Sequence, residues 1–265
     1  MGYAVPHSVK LQEEYGDDLA VLFVEVQNSG KEKSEAFALK KKWLGGRSIW
    51  TTERPFSLGI RGIPQFALLS PEGEIVLSGH NSALQGEMED RIEDMVKSLK
   101  KGPASLPKKV AKAWAEMAKG GYAKSLAAAE KIVADAKSDE DVAGAKQLIA
   151  TLDERVGARV ERIRWMLDNG YPLIAAEQLK DLSKGTGDRF DVAADLSEME
   201  ATLASDEFKQ ELKAAQELTK IEQKLFEDPD AKHLKKLTKF LEQHGSTKVA
   251  KRAEQLRDMT TLATS

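Results

Sequence analysis

The chain contains no cysteine, so histidine and serine are the residue types to consider first for catalysis. Without a thiolate, disulfide exchange, peroxide reduction and thiolate metal sites are excluded for the chain acting alone. His7 precedes Ser8, but adjacent residues on a helix do not face each other, and the sequence places no acidic residue to orient the imidazole. We therefore predict no catalytic residue.

The histidines also lack the spacing of a metal site. His80 follows a predicted pair of strands, and its simplest interpretation is a surface turn before a helix. His233 and His244 lie far along the chain, in a different predicted domain. Because the sequence brings no set of ligands to a usable spacing, we predict no metal and no cofactor.

The charge of the chain argues against nucleic acid as a partner. Lysine and arginine number 40 and aspartate and glutamate 43, so the net charge is only -3. One local basic cluster could contact phosphate, but acidic residues nearby favour a solvated helix face. This cluster comprises Lys40, Lys41, Lys42, Arg47 and Arg54, close to Trp43 and Trp50.

The first hundred residues alternate helical and β-rich patterns. An apolar run over 19–26 predicts a buried strand, and a Pro-Gly turn over 70–73 predicts an antiparallel hairpin. The other predicted elements are helices over 6–15, 34–43 and 84–99 and the hairpin strands over 66–69 and 74–77. The longest apolar runs are far shorter than the roughly 20 residues of a membrane span, so no membrane segment is predicted.

After about Lys101 every pattern is helical. The change predicts a first domain at 1–101, a linker rich in glycine and proline at 102–109, and an α-helical domain at 110–265. The predicted fold class is therefore α/β plus all-α. Helices are predicted at 107–119, 122–136, 139–168, 171–183, 188–204, 206–226, 230–244 and 247–262.

Two of these helix starts resemble each other. Gly120-Gly121-Tyr122 and Asn169-Gly170-Tyr171 each open an alanine-rich helix, and Trp114 and Trp165 lie on the helices before them. This arrangement is common in tetratricopeptide-like solenoids, although the period here is about 49 residues and only two copies are evident. We interpret the region as helical hairpins of a repeat-like domain in which these tryptophans and tyrosines pack between helices.

The hairpin and the start of the chain together resemble the thioredoxin superfamily. The stretch from Gly59 to Gly79 enters a β-hairpin through Ile63-Pro64, and Tyr3-Ala4-Val5-Pro6-His7 opens the first helix as an aromatic and a redox motif do in that superfamily. The resemblance is to the branch of thiol-disulfide oxidoreductases found in bacterial cell envelopes.

The resemblance implies roles for several residues. Ala4 and His7 take the positions of the two redox cysteines, so the motif is degenerate, and Pro64 corresponds to the family's cis-proline. Such a proline helps to hold extended peptides, which suggests a peptide-binding groove; the alternative is that Pro64 persists only for the turn. The candidate groove residues are Tyr3, Pro6, His7, Ile63 and Pro64.

The resemblance also implies a strand that this chain lacks. The family places a strand before the redox motif, between the strands that correspond to 19–26 and 66–69, whereas only Met1 and Gly2 precede Tyr3 here. We expect that the given sequence is truncated at its N-terminus and that the strand has been lost with the missing part. The alternatives are that another segment of the chain, or another molecule, takes the place of this strand. The sequence leaves the localisation of the protein open. The resemblance suggests the cell envelope or periplasm if an N-terminal export signal is missing from the given sequence, and the cytoplasm otherwise.

The predicted fold is thus an incomplete thioredoxin-like domain followed by helical hairpins. We predict a redox-inactive protein-interaction or scaffolding module with a protein or peptide partner. The alternative is an oxidoreductase relative whose catalytic or export segment lies upstream, or one recruited to a non-thiol activity. A purely structural role through self-association is a third hypothesis, because the sequence leaves the oligomeric state open.

Overall fold

A computed structural model describes residues 3–44, 49–59, 62–71, 73–103, 105–135 and 138–265, and the side chains of 81–83 are outside that description. The chain is mostly helical, with two sheets of two strands each among these residues. Arg47 of the predicted basic cluster, residues 60–61 of the predicted hairpin approach and residue 72 of the predicted turn lie outside the described residues.

The chain divides into two compact units. The first contains Met1–Val96, Lys220–Glu242 and Ala253–Ser265, and the second contains Lys97–Thr219 and Gln243–Arg252. Each unit is therefore assembled from more than one stretch of sequence. The domain boundaries proposed from the composition shift stay a prediction.

The N-terminal stretch of the first unit follows the predicted order of elements with one addition. Helix α2 begins and ends about three residues earlier than predicted, and the strand at 49–51 was not predicted. The elements are α1 (Ala4–Tyr15), a 3-10 turn (Gly16–Asp18), β1 (Leu22–Val24), α2 (Lys31–Lys40), β2 (Ile49–Thr51), β3 (Gln65–Leu69), β4 (Ile75–His80) and α3 (Asn81–Lys101).

The strands form two separate ladders. β1 pairs with β2 in parallel, with Phe23 opposite Trp50, and β3 pairs with β4 antiparallel, with a register shift between Leu68 and Leu69. The strand predicted over 19–26 is shorter than expected, because the one strand that pairs with it in the described part of the chain, β2, is three residues long. It is also less buried than predicted, since Leu22 is 48% exposed.

A small apolar core joins α1, β3 and α3. Met88, Ile92 and Val96 recur at helical spacing on α3 and are buried against Leu11 and Leu68. The spacing of apolar residues over 84–99 predicts that this one face of the helix is buried. The core therefore holds the closing helix against the hairpin and the first helix.

The rest of the chain is an array of helices whose number and order were predicted. Their ends agree with the predicted ends to within about five residues, because glycine, proline and asparagine interrupt the helical periodicity between them. The helices are α4 (Lys108–Ala118), α5 (Tyr122–Asp135), α6 (Asp139–Asp168), α7 (Pro172–Thr186), α8 (Ala193–Ala204), α9 (Asp206–Glu227), α10 (Lys232–His244) and α11 (Ala250–Thr264). Among the described residues, none of the helices is both long and apolar enough to cross a lipid bilayer.

The glycines of the second unit permit close approach of backbones. Gly170 has a φ of 79°, and a Cβ there would lie 2.7 Å from the carbonyl oxygen of Lys248. A Cβ on Gly185, near the end of α7, would lie 2.3 Å from the carbonyl oxygen of Gly120. Real Cβ atoms do not approach backbone so closely, so both contacts depend on glycine.

Alanine at these glycines tests the close contacts. We expect Gly170→Ala and Gly185→Ala each to lower the free energy of unfolding by about 2 kcal/mol or more, because the neighbouring backbone must move. Gly157→Ala is the matched control: it lies in α6 and an added Cβ would meet no atom within 4 Å, so alanine should stabilise the chain by about 0.5–1 kcal/mol. Urea unfolding followed by circular dichroism measures all three. Equal effects at the three positions would contradict the close approach.

His233 is an unusual core residue of the first unit. It lies on α10, is 1% exposed, and neither of its ring nitrogens has a hydrogen-bond partner among the described residues. Burial lowers the pKa of His233 below its ordinary value of 6.5, and Lys236 and Lys232 lower it further against the opposing effect of Asp228 and Asp230. The folded chain therefore favours the neutral form of this imidazole more than the unfolded chain does.

His233 should make the fold sensitive to acid. Above pH 6.5 the imidazole is neutral in both states; as the pH falls below 6.5 only the unfolded chain takes up the proton, so stability declines until the lowered folded pKa is passed. We expect His233→Leu to remove a pH dependence of at most about 1.4 kcal/mol per pH unit. Urea unfolding of both proteins from pH 7.5 to 5 measures it, and the other three histidines cancel in the comparison. Identical pH profiles would contradict this expectation.

Candidate functional site

Ala4 and His7, which the sequence resemblance assigns to redox positions, lie in the first turn of α1. Ala4 is half-buried and Pro6 is exposed, while the ring of His7 stacks on the ring of Tyr3 at a centroid distance of 5.5 Å. The backbone N–H of His7 donates to the carbonyl of Tyr3 at 3.1 Å, which closes the helical turn. Tyr3 is 63% exposed, so the stacked pair presents an aromatic surface to solvent.

Two polar residues of α3 complete this cluster. Nε2 of His7 lies 2.9 Å from Oε1 of Glu89, within ion-pair distance although not aligned as a hydrogen bond. Nε2 of Gln85 donates to the hydroxyl of Tyr3 at 2.9 Å and to Oε1 of Glu89 at 3.0 Å. The sequence analysis missed Gln85 and Glu89; their spacing of four residues places them on one helix face, but nothing local indicates that α1 lies beside it.

Pro64 belongs to a second set of contacts. The Ile63–Pro64 peptide bond is cis, and the carbonyl oxygen of Pro64 lies 3.3 Å from Nδ1 of His80. Ile63 is exposed. The structure therefore brings Tyr3 and His7 together, and Pro64 and His80 together. Among the described residues, no hydrogen bond, ion pair or ring contact joins the first pair to the second.

The polar cluster around His7 can bind polar groups but has no evident nucleophile. Within the described part of the chain, no serine or threonine hydroxyl is hydrogen-bonded to His7, and no group of three acidic or histidine side chains could hold a metal ion. An imidazole beside a carboxylate, with an exposed aromatic ring, suits contact with a peptide better than covalent chemistry.

Two described residues of the predicted basic cluster make contacts within the chain. Arg54 donates to the carbonyl of Val26 and to Oδ1 of Asn28, and Nζ of Lys41 lies 5.6 Å from the centroid of Phe37. Trp43 stacks on Trp50 at 6.4 Å. Arg54 is thus used to hold a loop, which leaves it poorly placed to receive a phosphate.

An exposed tryptophan of the second unit forms the other candidate surface. Trp165 is 57% exposed and stacks on Tyr171 at a centroid distance of 5.6 Å, and the guanidinium of Arg252 lies over the Tyr171 ring at 4.9 Å. We call Trp165, Tyr171 and Arg252 the tryptophan platform. Exposed Ile174 lies one helical turn beyond Tyr171 on α7.

The turn at Gly170 holds the tryptophan platform in place. The backbone N–H of Tyr171 donates to the carbonyl of Met166, and Nδ2 of Asn169 donates to the carbonyl of Trp165 at 2.8 Å. Nζ of Lys248 lies 2.9 Å from Oδ1 of Asp168 and fixes the other side of the turn. The aromatic pair is therefore presented by a rigid turn between two helices.

The tryptophan and tyrosine of the first copy are buried instead, and they do not share the spacing of the second: Trp114 lies eight residues before Tyr122, whereas Trp165 lies six residues before Tyr171. Trp114 is 5% exposed and its indole N–H donates to the carbonyl of Leu99 at 3.1 Å, and Tyr122 is buried in the same core. Packing between helices, predicted for all four aromatics, is correct for this copy. It is wrong for Trp165, because no described helix of the unit covers the outer part of its ring.

Comparisons with models of known protein families, with curated proteins and with solved structures found no match to this chain.

Fluorescence separates the two tryptophans. Trp165→Phe should remove much of the emission that iodide quenches and change the free energy of unfolding by less than about 0.5 kcal/mol, since its ring is exposed. Trp114→Phe should leave iodide quenching unchanged and cost about 1–3 kcal/mol, because the partly buried carbonyl of Leu99 loses its donor. Iodide titration and urea unfolding measure both quantities. A Trp165→Phe protein as destabilised as Trp114→Phe would contradict the assignment.

Proposed function

We propose that this chain is a redox-inactive, thioredoxin-like protein that acts as a protein-interaction or scaffolding module. The lack of cysteine removes the nucleophile of dithiol chemistry. The observation that carries the proposal is the tryptophan platform, in which exposed Trp165 stacks on partly buried Tyr171 at a hydrogen-bonded turn.

Tryptophan, tyrosine and arginine are the residue types most enriched among the energetically dominant residues of protein interfaces. The platform combines all three within stacking distance. Because its turn is fixed by hydrogen bonds and by the Lys248–Asp168 ion pair, little conformational entropy would be lost on binding.

The exposed Tyr3 beside His7 is a second place for a partner in the same proposal, and the exposed Ile63, which no described contact joins to Tyr3, is a third. Both side chains are exposed, and Pro64 lies next to Ile63 with its carbonyl directed to His80. An extended peptide pairs with backbone and inserts alternate side chains between such groups. We assign the surface around Tyr3 to a peptide rather than to nucleic acid, because His7 is paired with acidic Glu89 and the chain carries a net negative charge.

Affinity capture tests the role of the tryptophan platform. The full chain is used as bait in a lysate of the source organism, and retained proteins are quantified by mass spectrometry. We expect at least one protein to be retained by the unaltered chain and reduced about tenfold or more by Trp165→Ala, since a central interface tryptophan contributes about 2 kcal/mol or more.

Leu262→Ala is the matched control, because Leu262 is also an exposed apolar residue but lies on α11, away from Trp165 in the sequence and in the other unit. It should leave retention unchanged. Thermal unfolding of each bait shows that the fold is intact. If the Trp165→Ala and unaltered baits retain the same proteins in the same amounts, the tryptophan platform is not the binding surface.

A further inference from the structure

Helix α6 carries three arginines on one side of its middle turns. Arg155, Arg159 and Arg162 follow each other at spacings of four and three residues, so they are neighbours along the helix surface. With a rise of about 1.5 Å per residue, they cover about 10 Å of the helix length. We call these three residues the arginine stripe.

The guanidiniums of the arginine stripe pair with no carboxylate of the described residues. That of Arg155 lies 5.6 Å from the centroid of the Trp114 ring, and that of Arg159 lies 5.8 Å from the centroid of the Tyr122 ring. Arg162 is exposed, and within the described part of the chain its side chain makes no hydrogen bond, ion pair or ring contact. The positive charge of the stripe is therefore not neutralised by a direct contact.

Other arginines of the same unit are paired with carboxylates. Nη2 of Arg164 lies 3.0 Å from Oδ1 of Asp195, and its Nη1 contacts Glu161. Arg189 pairs with Glu130. By the helical repeat, Arg164 lies on the side of α6 opposite to the arginine stripe. Two sides of one helix thus differ: the arginine on one is paired, and those on the other are not.

The aromatic contacts hold two arginines of the stripe in a form ready to bind. Trp114 and Tyr122 are buried in the core, and they fix the partly buried side chains of Arg155 and Arg159. A ring contacts only the face of a guanidinium, so the N–H groups at its edge can still donate to an acceptor. Because these side chains are already ordered, they lose little conformational entropy when a ligand binds.

The tryptophan platform lies at one end of the arginine stripe. Trp165 is three residues beyond Arg162, which makes the two side chains neighbours on α6, and its ring is exposed. A row of cations therefore leads to an exposed aromatic ring.

We propose that the arginine stripe binds an extended acidic segment of a partner protein, an inference that rests on the proposed role of the chain as an interaction module. Alternate side chains of an extended peptide are about 6.5 Å apart, close to the rise of about 6 Å between Arg155 and Arg159. Carboxylates at alternate positions can thus each accept two hydrogen bonds from one guanidinium. An apolar side chain next to them in the peptide then contacts Trp165.

A peptide fits this surface better than nucleic acid does. Nucleic-acid binding depends on the neutralisation of many phosphates, whereas the stripe supplies three cations. The chain as a whole carries a net charge of -3, so it has no global field that would attract a polyanion. A short acidic segment needs only the local charge of the stripe.

Titration of the full chain with a synthetic peptide tests the proposal. The probe is fluorescein-labelled Leu-Ser-Glu-Ser-Glu-Ser-Glu-Ser-Leu, and fluorescence anisotropy follows its binding. We expect a dissociation constant of about 10–300 µM, because each exposed charge pair contributes little. The same peptide with glutamine in place of glutamate should bind at least about tenfold more weakly.

Arginine-to-methionine variants locate the binding surface, since methionine keeps an apolar stem and removes the charge. Arg155→Met combined with Arg159→Met should raise the dissociation constant about tenfold or more, and Arg162→Met alone about threefold. Arg164→Met is the matched control: it removes the same charge from the opposite side of α6 and should change the constant less than about twofold. Thermal unfolding shows that each fold is intact. Arg162 contacts neither ring, so its variant gives the test if the double variant does not fold.

Three results would overturn the proposal. The first is equal affinity for the glutamate and glutamine peptides, and the second is an equal effect of Arg162→Met and Arg164→Met. The third is binding of labelled oligothymidylate as tight as that of the peptide, with the same dependence on the stripe, which would assign the surface to nucleic acid. Protein capture that depends on Trp165 would persist if only this inference fails, whereas it would be lost if the proposed function fails.

Discussion

The turn at Gly170 is the constraint on which the candidate binding surface depends. A residue with a side chain could not hold a φ of 79° there and also approach the carbonyl of Lys248 to within contact distance. The turn reverses the chain between α6 and α7, which brings Tyr171 back over Trp165 at stacking distance. It also lies against the turn that precedes α11, where Lys248 pairs with Asp168 and Arg252 reaches the Tyr171 ring. One backbone contact therefore orders every group of the tryptophan platform.

The two turns of the helical unit pack against different partners. At Gly120 the turn receives Gly185 of α7, and Trp114 enters the core beside it. At Gly170 the turn receives Lys248, and Trp165 stays exposed. Trp114 lies six residues before Gly120 whereas Trp165 lies five residues before Gly170, so the two tryptophans occupy different positions on their helices. The second turn can for this reason present a tryptophan to a partner, while the first buries one.

The helices were predictable because their signals are local: apolar residues at helical spacing, interrupted by glycine and proline. The exposure of Trp165 follows from the same local spacing, because Val160, Ile163 and Met166 form the buried face of α6 and Trp165 lies off it; the sequence analysis instead inferred packing from the residue type. The strand at Ile49–Thr51 was missed because three residues give no periodicity, and its identity depends on pairing with Leu22–Val24. Tyr3 and His7 were identified from the sequence because they belong to one local motif. Gln85 and Glu89 contact them from α3, a distant part of the chain, and were therefore not identified.

The central claim is that the tryptophan platform contacts another protein, and site-specific photocrosslinking in the source organism tests it most directly. A benzophenone side chain replaces Ile174, which is exposed one helical turn beyond Tyr171, and in a separate protein it replaces exposed Leu262 on α11. The account predicts a discrete crosslinked product at position 174 that is lost when Trp165 is also changed to alanine, and no such product at position 262. Equal crosslinking at both positions, or a product at 174 that persists without the Trp165 indole, would contradict it.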